Sequence, residues 1–161
     1  VAILSISCWS ARVAGGDFEL YPPVNRHTCR VLYGDTDAGG VVYYANYLRY
    51  FEAGRTEYMR ELVASYRSLE EQGFILPVVE CHVRYKASAR YDDLLVIETS
   101  LAEVRPASCR FTYRISREDG KTLVLGATTH AAVDRQGKLA KLPAEVIARL
   151  RQLTEKPEIS G

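Results

Sequence analysis

The residues able to do chemistry concentrate in one short stretch, Tyr33-Gly34-Asp35-Thr36-Asp37-Ala38-Gly39-Gly40-Val41-Val42-Tyr43-Tyr44, where two carboxylates and two adjacent glycines lead into a helical pattern. D-x-D-x-x-G resembles the opening of a calcium loop. That reading fails, because the fifth position is Gly39, the twelfth is Asn46 and a strand-like run precedes it. A phosphate-cradling turn also fits poorly, since no Walker lysine follows and two aspartates repel phosphate. Acyl transfer suits the residue types better. Gly39 and Gly40 let the main chain approach a ligand, and unpaired N–H groups around Tyr43 and Tyr44 at a helix start can hold an oxyanion. An ordinary aspartate, with a pKa of about 3.9, is ionised at neutral pH and can act as nucleophile or general base. The competing role for Asp35 or Asp37 is a turn or helix cap.

Regular elements must hold this loop. Alternation over His27 to Tyr33 predicts a short strand that stops at Gly34. Beyond the loop the period becomes helical: Tyr44, Tyr47, Leu48, Phe51, Tyr58, Met59 and Leu62 fall mostly on one face of a long helix from Tyr44 to about Val63. Glu52/Arg55 and Glu57/Arg60 are spaced to pair on its solvated side. A short helical piece, Ser68 to Gln72, ends at Gly73. Four strand runs follow, Ile75 to Tyr85, Leu94 to Val104, Cys109 to Ser116 and Thr122 to Val133, and a closing helix spans Ala144 to Leu153. Short turns between the later runs predict an antiparallel sheet. A long amphipathic helix can bury its stripe only against that sheet, so the fold class is α+β. A sheet curled round a helix leaves open edges, which predicts self-association, a homodimer at the least.

Composition narrows the partners. The chain has 161 residues, 47% hydrophobic and 25% charged, which suits one globular domain. No run approaches the length of a membrane-spanning helix. Twenty-one basic against twenty acidic residues, a formal +1, give no bulk footprint for nucleic acid. Cys8, Cys29, Cys81 and Cys109 form no C-x-x-C pair and no zinc spacing, so the thiols read as reduced, the protein as cytoplasmic, and no metal is expected. Gly15-Gly16 and Pro22-Pro23 mark residues 1–25 as an N-terminal extension, expected to be poorly ordered, before a domain over 26–155 and a tail over 156–161.

The string YGDTDAGGVVYYANYLRYFEAGRTEYMREL resembles the hotdog-fold acyl-CoA thioesterases of the 4-hydroxybenzoyl-CoA thioesterase type, above all their Tol-Pal-associated bacterial branch. YKASARYDDLLVIET and EVRPASCRFTYRI extend the resemblance from roughly Arg26 to Val133. It implies a five-stranded antiparallel sheet wrapped round one long central helix, assembly as homodimers or homotetramers, and hydrolysis of an acyl-CoA thioester without a cofactor. By the same resemblance Asp37 is the catalytic carboxylate and Asp35 structural. The Tyr44 N–H becomes the oxyanion contact, Gly40 shapes the approach, Tyr43 lines the site, and Arg105 and Ser108 lie on the CoA-binding hairpin. The branch often has His where this chain has Tyr44, a departure that bears on acyl preference. Asp37 would attack the carbonyl to give a mixed anhydride or deprotonate a water that does so. Two other readings are a thioesterase for carrier-protein-bound acyl chains and a non-catalytic acyl-CoA-binding module.

Around this centre, Tyr33, Tyr43, Tyr44, Tyr47 and Tyr50 suit either an aromatic acyl pocket or core packing. Lys86 and Arg90 suit either CoA phosphates or a solvated strand end. His27, His82 and His130 are scattered away from the Asp loop and are not expected to act in catalysis.

Overall fold

A computed structural model describes residues 17–154. The chain runs β1 (Asn25–Arg30), a 3-10 turn (Tyr33–Asp35), α1 (Asn46–Leu62), α2 (Tyr66–Glu71), β2 (Val78–Tyr85), β3 (Leu94–Arg105), β4 (Ser108–Arg117), β5 (Thr122–Ala131) and α3 (Ala144–Thr154). The strands form one five-stranded sheet in the order β1-β3-β4-β5-β2, with every neighbouring pair antiparallel. Its two edges are therefore β1 and β2.

One face of the sheet carries α1. Phe51, Tyr58 and Met59 are fully buried there, and Phe51 stacks on Tyr113 of β4 with ring centroids 4.5 Å apart. Burying side chains of that size contributes roughly 1.5–3 kcal/mol each. Gly54 lets the helix sit this close: a Cβ there would stand 2.5 Å from Thr99 Oγ1 and 2.6 Å from Ile97 Cγ2 of β3. At the far end, α3 packs near β3, and Arg149 Nε–H donates to Leu62 O (2.7 Å), satisfying a carbonyl that α1 leaves open at its C-terminus.

The opposite face of the sheet receives part of the stretch read from sequence as an extension. Tyr21 N–H donates to Ser100 Oγ (3.0 Å), Thr112 Oγ1–H donates to Glu19 O (2.8 Å), and the Arg84 guanidinium lies over the Phe18 ring. Residues 1–16 and 155–161, Cys8 among them, lie outside the described residues.

Several boundaries differ from the sequence reading for identifiable reasons. β1 stops at Arg30 rather than Tyr33, because Val31 N–H turns to Asp93 O (3.0 Å) and the chain then enters the 3-10 turn. β2 begins at Val78 rather than Ile75. Pro77 has no N–H for the ladder, and Ile75 makes only an isolated bridge to Val133. The expected Glu52/Arg55 pair does not form, since Arg55 turns inward and its Nη1–H donates to Tyr113 OH (3.3 Å). The Glu57/Arg60 pair is present. On α1, Tyr50 is buried, while Leu48 remains 43% exposed.

Candidate active site

The loop between β1 and α1 is a tight hairpin of its own. Thr36 and Val42 bridge antiparallel, Asp37 N–H donates to Val41 O (2.9 Å), and Gly40 N–H returns to Asp37 O (2.9 Å). Gly40 has φ +74°, the left-handed geometry that ends such a turn and that a side chain would strain. The hairpin is tied to the rest of the fold from the other side of the sequence, where Val42 N–H donates to Ala89 O (2.9 Å) and Ala89 N–H donates to the Tyr47 hydroxyl (2.9 Å).

Asp35 and Asp37 occupy opposite environments. Asp35 is 5% exposed and accepts from Leu32 N–H (3.0 Å), the Tyr50 hydroxyl (2.9 Å) and Arg49 Nη1–H (3.3 Å). Burial and that carboxylate push the Tyr50 phenol far above its ordinary range, which keeps it a donor. Asp35's carbonyl also receives the Tyr43 N–H (2.9 Å) and the Asn46 side-chain amide (2.8 Å), so this residue fastens the loop to the start of α1. Asp37 is exposed. Its Oδ1 accepts from Gly39 N–H (2.8 Å), the local turn expected of an aspartate, while Oδ2 takes no hydrogen bond from the described residues. One oxygen of this carboxylate thus makes the turn, and the other is left without a protein hydrogen bond among the described residues.

The sequence placed both Tyr43 and Tyr44 at the helix start with open amides. That is corrected on two counts. α1 begins at Asn46, two residues later than Tyr44, because Asn46 N–H first closes a turn onto Tyr43 O (2.9 Å). Tyr43 N–H is spent on Asp35. The Tyr44 N–H meets no protein acceptor among the described residues. Of the two amides, only Tyr44's is open to a ligand.

Asp37 and Tyr44 line one cavity of about 340 Å³ together with Tyr47, Tyr85, Lys86 and Ser88. Tyr85 was not singled out from sequence. Its hydroxyl donates to Tyr44 O (3.0 Å) and its ring meets those of Tyr44 and Tyr47 edge-on. No local pattern marks Tyr85: it reaches the site because the end of β2 comes to the start of α1, where its ring meets that of Tyr47, a long-range consequence of the fold. Tyr43 stands beside this cavity, its ring centroid 4.7 Å from that of Tyr44. A larger hollow of about 400 Å³ lies between β1 and α1 and includes Asp35, Arg49 and Tyr50. There the carboxylate is fully engaged, so size favours that hollow and chemistry favours the smaller cavity.

Arg105 and Ser108 lie elsewhere. They are cross-strand partners at the β3–β4 turn and line a separate hollow of about 160 Å³ with Glu80 and Glu103. Arg105 makes two contacts to Glu103 Oε1, both at 2.7 Å. Within one chain the structure does not bring this pair to Asp37. His130 is fully buried between Thr128 Oγ1 (2.8 Å) and Leu76 O (3.0 Å), away from the Asp loop.

Residues 31–150 match the family model of the thioesterase-like superfamily. The chain belongs to that superfamily. The acyl-CoA thioesterase YbgC of Haemophilus influenzae is 43% identical over 128 residues, which cover 77% of this chain and 92% of that protein. Among solved structures, a hypothetical protein from Thermus thermophilus has a TM-score of 0.78 at 31% identity, covering 83% of this chain and 99% of the other. A mutant 4-hydroxybenzoyl-CoA thioesterase complexed with 4-hydroxybenzoyl-CoA has a TM-score of 0.71 at 26% identity, covering 79% and 98%. The fold is the hotdog arrangement that the resemblance implied, and this superfamily member is a thioester hydrolase.

Proposed function

We propose that the protein hydrolyses acyl-CoA thioesters, with Asp37 as the catalytic carboxylate and the Tyr44 N–H as the oxyanion contact. The observation that carries this reading is the shared cavity: Asp37, exposed and with one unengaged oxygen, and Tyr44, whose backbone amide is unpaired among the described residues, line the same 340 Å³ space. The thioester carbonyl oxygen rests on the Tyr44 amide. Asp37 attacks the carbonyl carbon, or takes a proton from a water that does so, and the CoA thiolate departs. In the first form a mixed anhydride is then hydrolysed, and in both the products are free acid and CoA. Loss of one oxyanion donor typically raises such a barrier by about 2.7–4 kcal/mol, so the amide ranks among the main contributors.

Asp35 supports this machinery by fixing the loop, Gly40 by permitting the turn, and Tyr43 by flanking the cavity. Arg105 and Ser108 are assigned to the phosphate end of CoA, where a guanidinium and a hydroxyl can donate to phosphate oxygens. The working form is a homodimer or homotetramer, supported by the exposed edge strand β2 with Val78 and Val79 at its start. Cys29, Cys81 and Cys109 are free thiols, which suits a cytoplasmic setting. No helix among the described residues is long and apolar enough to cross a membrane.

The test is a panel of acyl-CoA and carrier-protein thioesters assayed with a thiol reagent. Release of CoA thiol supports the proposal. Cleavage confined to carrier-bound chains moves the substrate class, and tight acyl-CoA binding without cleavage replaces the enzyme with a binding module.

A further inference from the structure

Once the thioester is assigned to Asp37 and the Tyr44 amide, the remaining polar groups of the cavity can be accounted for one by one. The Tyr47 hydroxyl accepts the Ala89 N–H, and the Tyr85 hydroxyl donates to Tyr44 O. The Tyr44 phenol is engaged with that of Tyr43, and Lys86 and Ser88 are left. Among the described residues neither side chain takes part in an ion pair or a hydrogen bond, and Lys86 is the one cation in the cavity lining.

Their placement follows from how β2 ends. Lys86 N–H and Ala87 N–H both donate to Leu123 O, at 2.8 and 3.1 Å, so two residues oppose one and the strand's alternation breaks. The chain then returns over α1 through Ala89, which carries Lys86 and Ser88 to the wall of the Asp37 cavity.

We infer that Lys86 and Ser88 form an acyl-end subsite, and that the thioesters it selects are those of short dicarboxylic acids. The inference rests on the roles proposed above for Asp37 and Tyr44. An ammonium and a hydroxyl two residues apart supply charge-assisted and neutral donors to the two oxygens of one carboxylate. Both side chains are exposed, so water serves their donors until an acyl carboxylate takes its place, and a plain alkyl chain offers them nothing in return. The phosphates of CoA do not serve this role, because the whole pantetheine arm separates them from the sulfur, while Lys86 lines the cavity that holds Asp37. Repulsion by Asp37 sets the spacing. A carboxylate directly beside the thioester carbonyl would face the catalytic anion, so a spacer of roughly two or three methylenes, as in succinyl or glutaryl, is favoured over malonyl.

The experiment compares kcat/KM for succinyl-CoA and glutaryl-CoA with that for butyryl-CoA, spontaneous hydrolysis subtracted, in the wild type, Lys86→Met and Lys86→Arg. The wild type is expected to favour a dicarboxylic thioester tenfold or more. Lys86→Met should lower that ratio at least tenfold, Lys86→Arg should keep most of it, and added salt should narrow it. Three outcomes overturn the inference: no dicarboxylic preference in the wild type, a ratio untouched by Lys86→Met, or an equal loss on all substrates, which would place the ammonium on CoA itself. If none of the thioesters is cleaved, the hydrolase reading fails separately, and calorimetric affinities of the same substrates and variants still decide the subsite in the same way.

Discussion

Asp35 and Asp37 stand two positions apart in opposite surroundings, which is why the proposal gives them different work. Asp35 satisfies a backbone amide, a phenol and a guanidinium from below the loop, while Asp37 keeps one oxygen for the cavity. Removing the Asp35 charge leaves the Tyr50 hydroxyl and Leu32 amide without their acceptor. Asp35→Ala should therefore cost about 1–3 kcal/mol in stability and reduce activity through a displaced loop, checked by thermal melting alongside turnover. A second residue sets a pH dependence. Burial first, then the Arg55 guanidinium, lowers the His130 pKa from 6.5 to about 4. Between those values the unfolded chain binds a proton that the folded chain does not. The resulting stability is fully present above the unfolded pKa and is lost as pH falls toward the folded one, about 3 kcal/mol in all. Thermal melts at neutral pH and about pH 5 should show a larger loss in the wild type than in His130→Gln. Equal losses would contradict this assignment. The candidate site was half legible in sequence at this scale. The glycine turn could be read because it is local, the choice of Asp37 over Asp35 came only with the family resemblance, and the spent Tyr43 amide depends on the fold of the whole loop.

Element lengths and order could largely be read from hydrophobic period, and the exceptions share a cause. Where tertiary hydrogen bonds compete with the ladder or the helix, the boundary moves: Val31 leaves for Asp93, Tyr43 for Asp35, and Ile75 is cut off by Pro77. Tyr85 and Ser88 escaped notice, and Lys86 was read only as a CoA-phosphate contact or a solvated strand end, because their relation to Asp37 depends on the end of β2 meeting the start of α1 rather than on any local pattern. The seat of α1 on the sheet is tested at Gly54. Alanine there gains about 1 kcal/mol of helix propensity, but its Cβ meets Thr99 and Ile97 well inside contact distance. Overpacking of about 1–3 kcal/mol should win. A melting temperature lowered by a few degrees is the expected result, and an unchanged or raised one would show that α1 shifts freely on β3.

On the scale of the whole molecule, the sheet presents two edges and protects them unequally. β2 exposes Val78 and Val79, the latter 60% accessible, at the start of an edge strand whose backbone donors and acceptors face outward. If that edge is where copies meet, Val79→Lys should shift the protein to a smaller species in light-scattering chromatography. An unchanged mass would assign assembly to another surface. The opposite face of the sheet is partly occupied by residues 17–21 of the chain itself, through Phe18, Glu19 and Tyr21, which directs attention to β2. The central claim is narrower than assembly, for it concerns one carboxylate beside one amide. It is tested most directly by kcat/KM for a hydrolysed acyl-CoA with wild type and Asp37→Asn, the variant's fold confirmed by an unchanged melt. The account predicts a fall of at least 10²-fold. Asparagine turning over within a few-fold of wild type would contradict it.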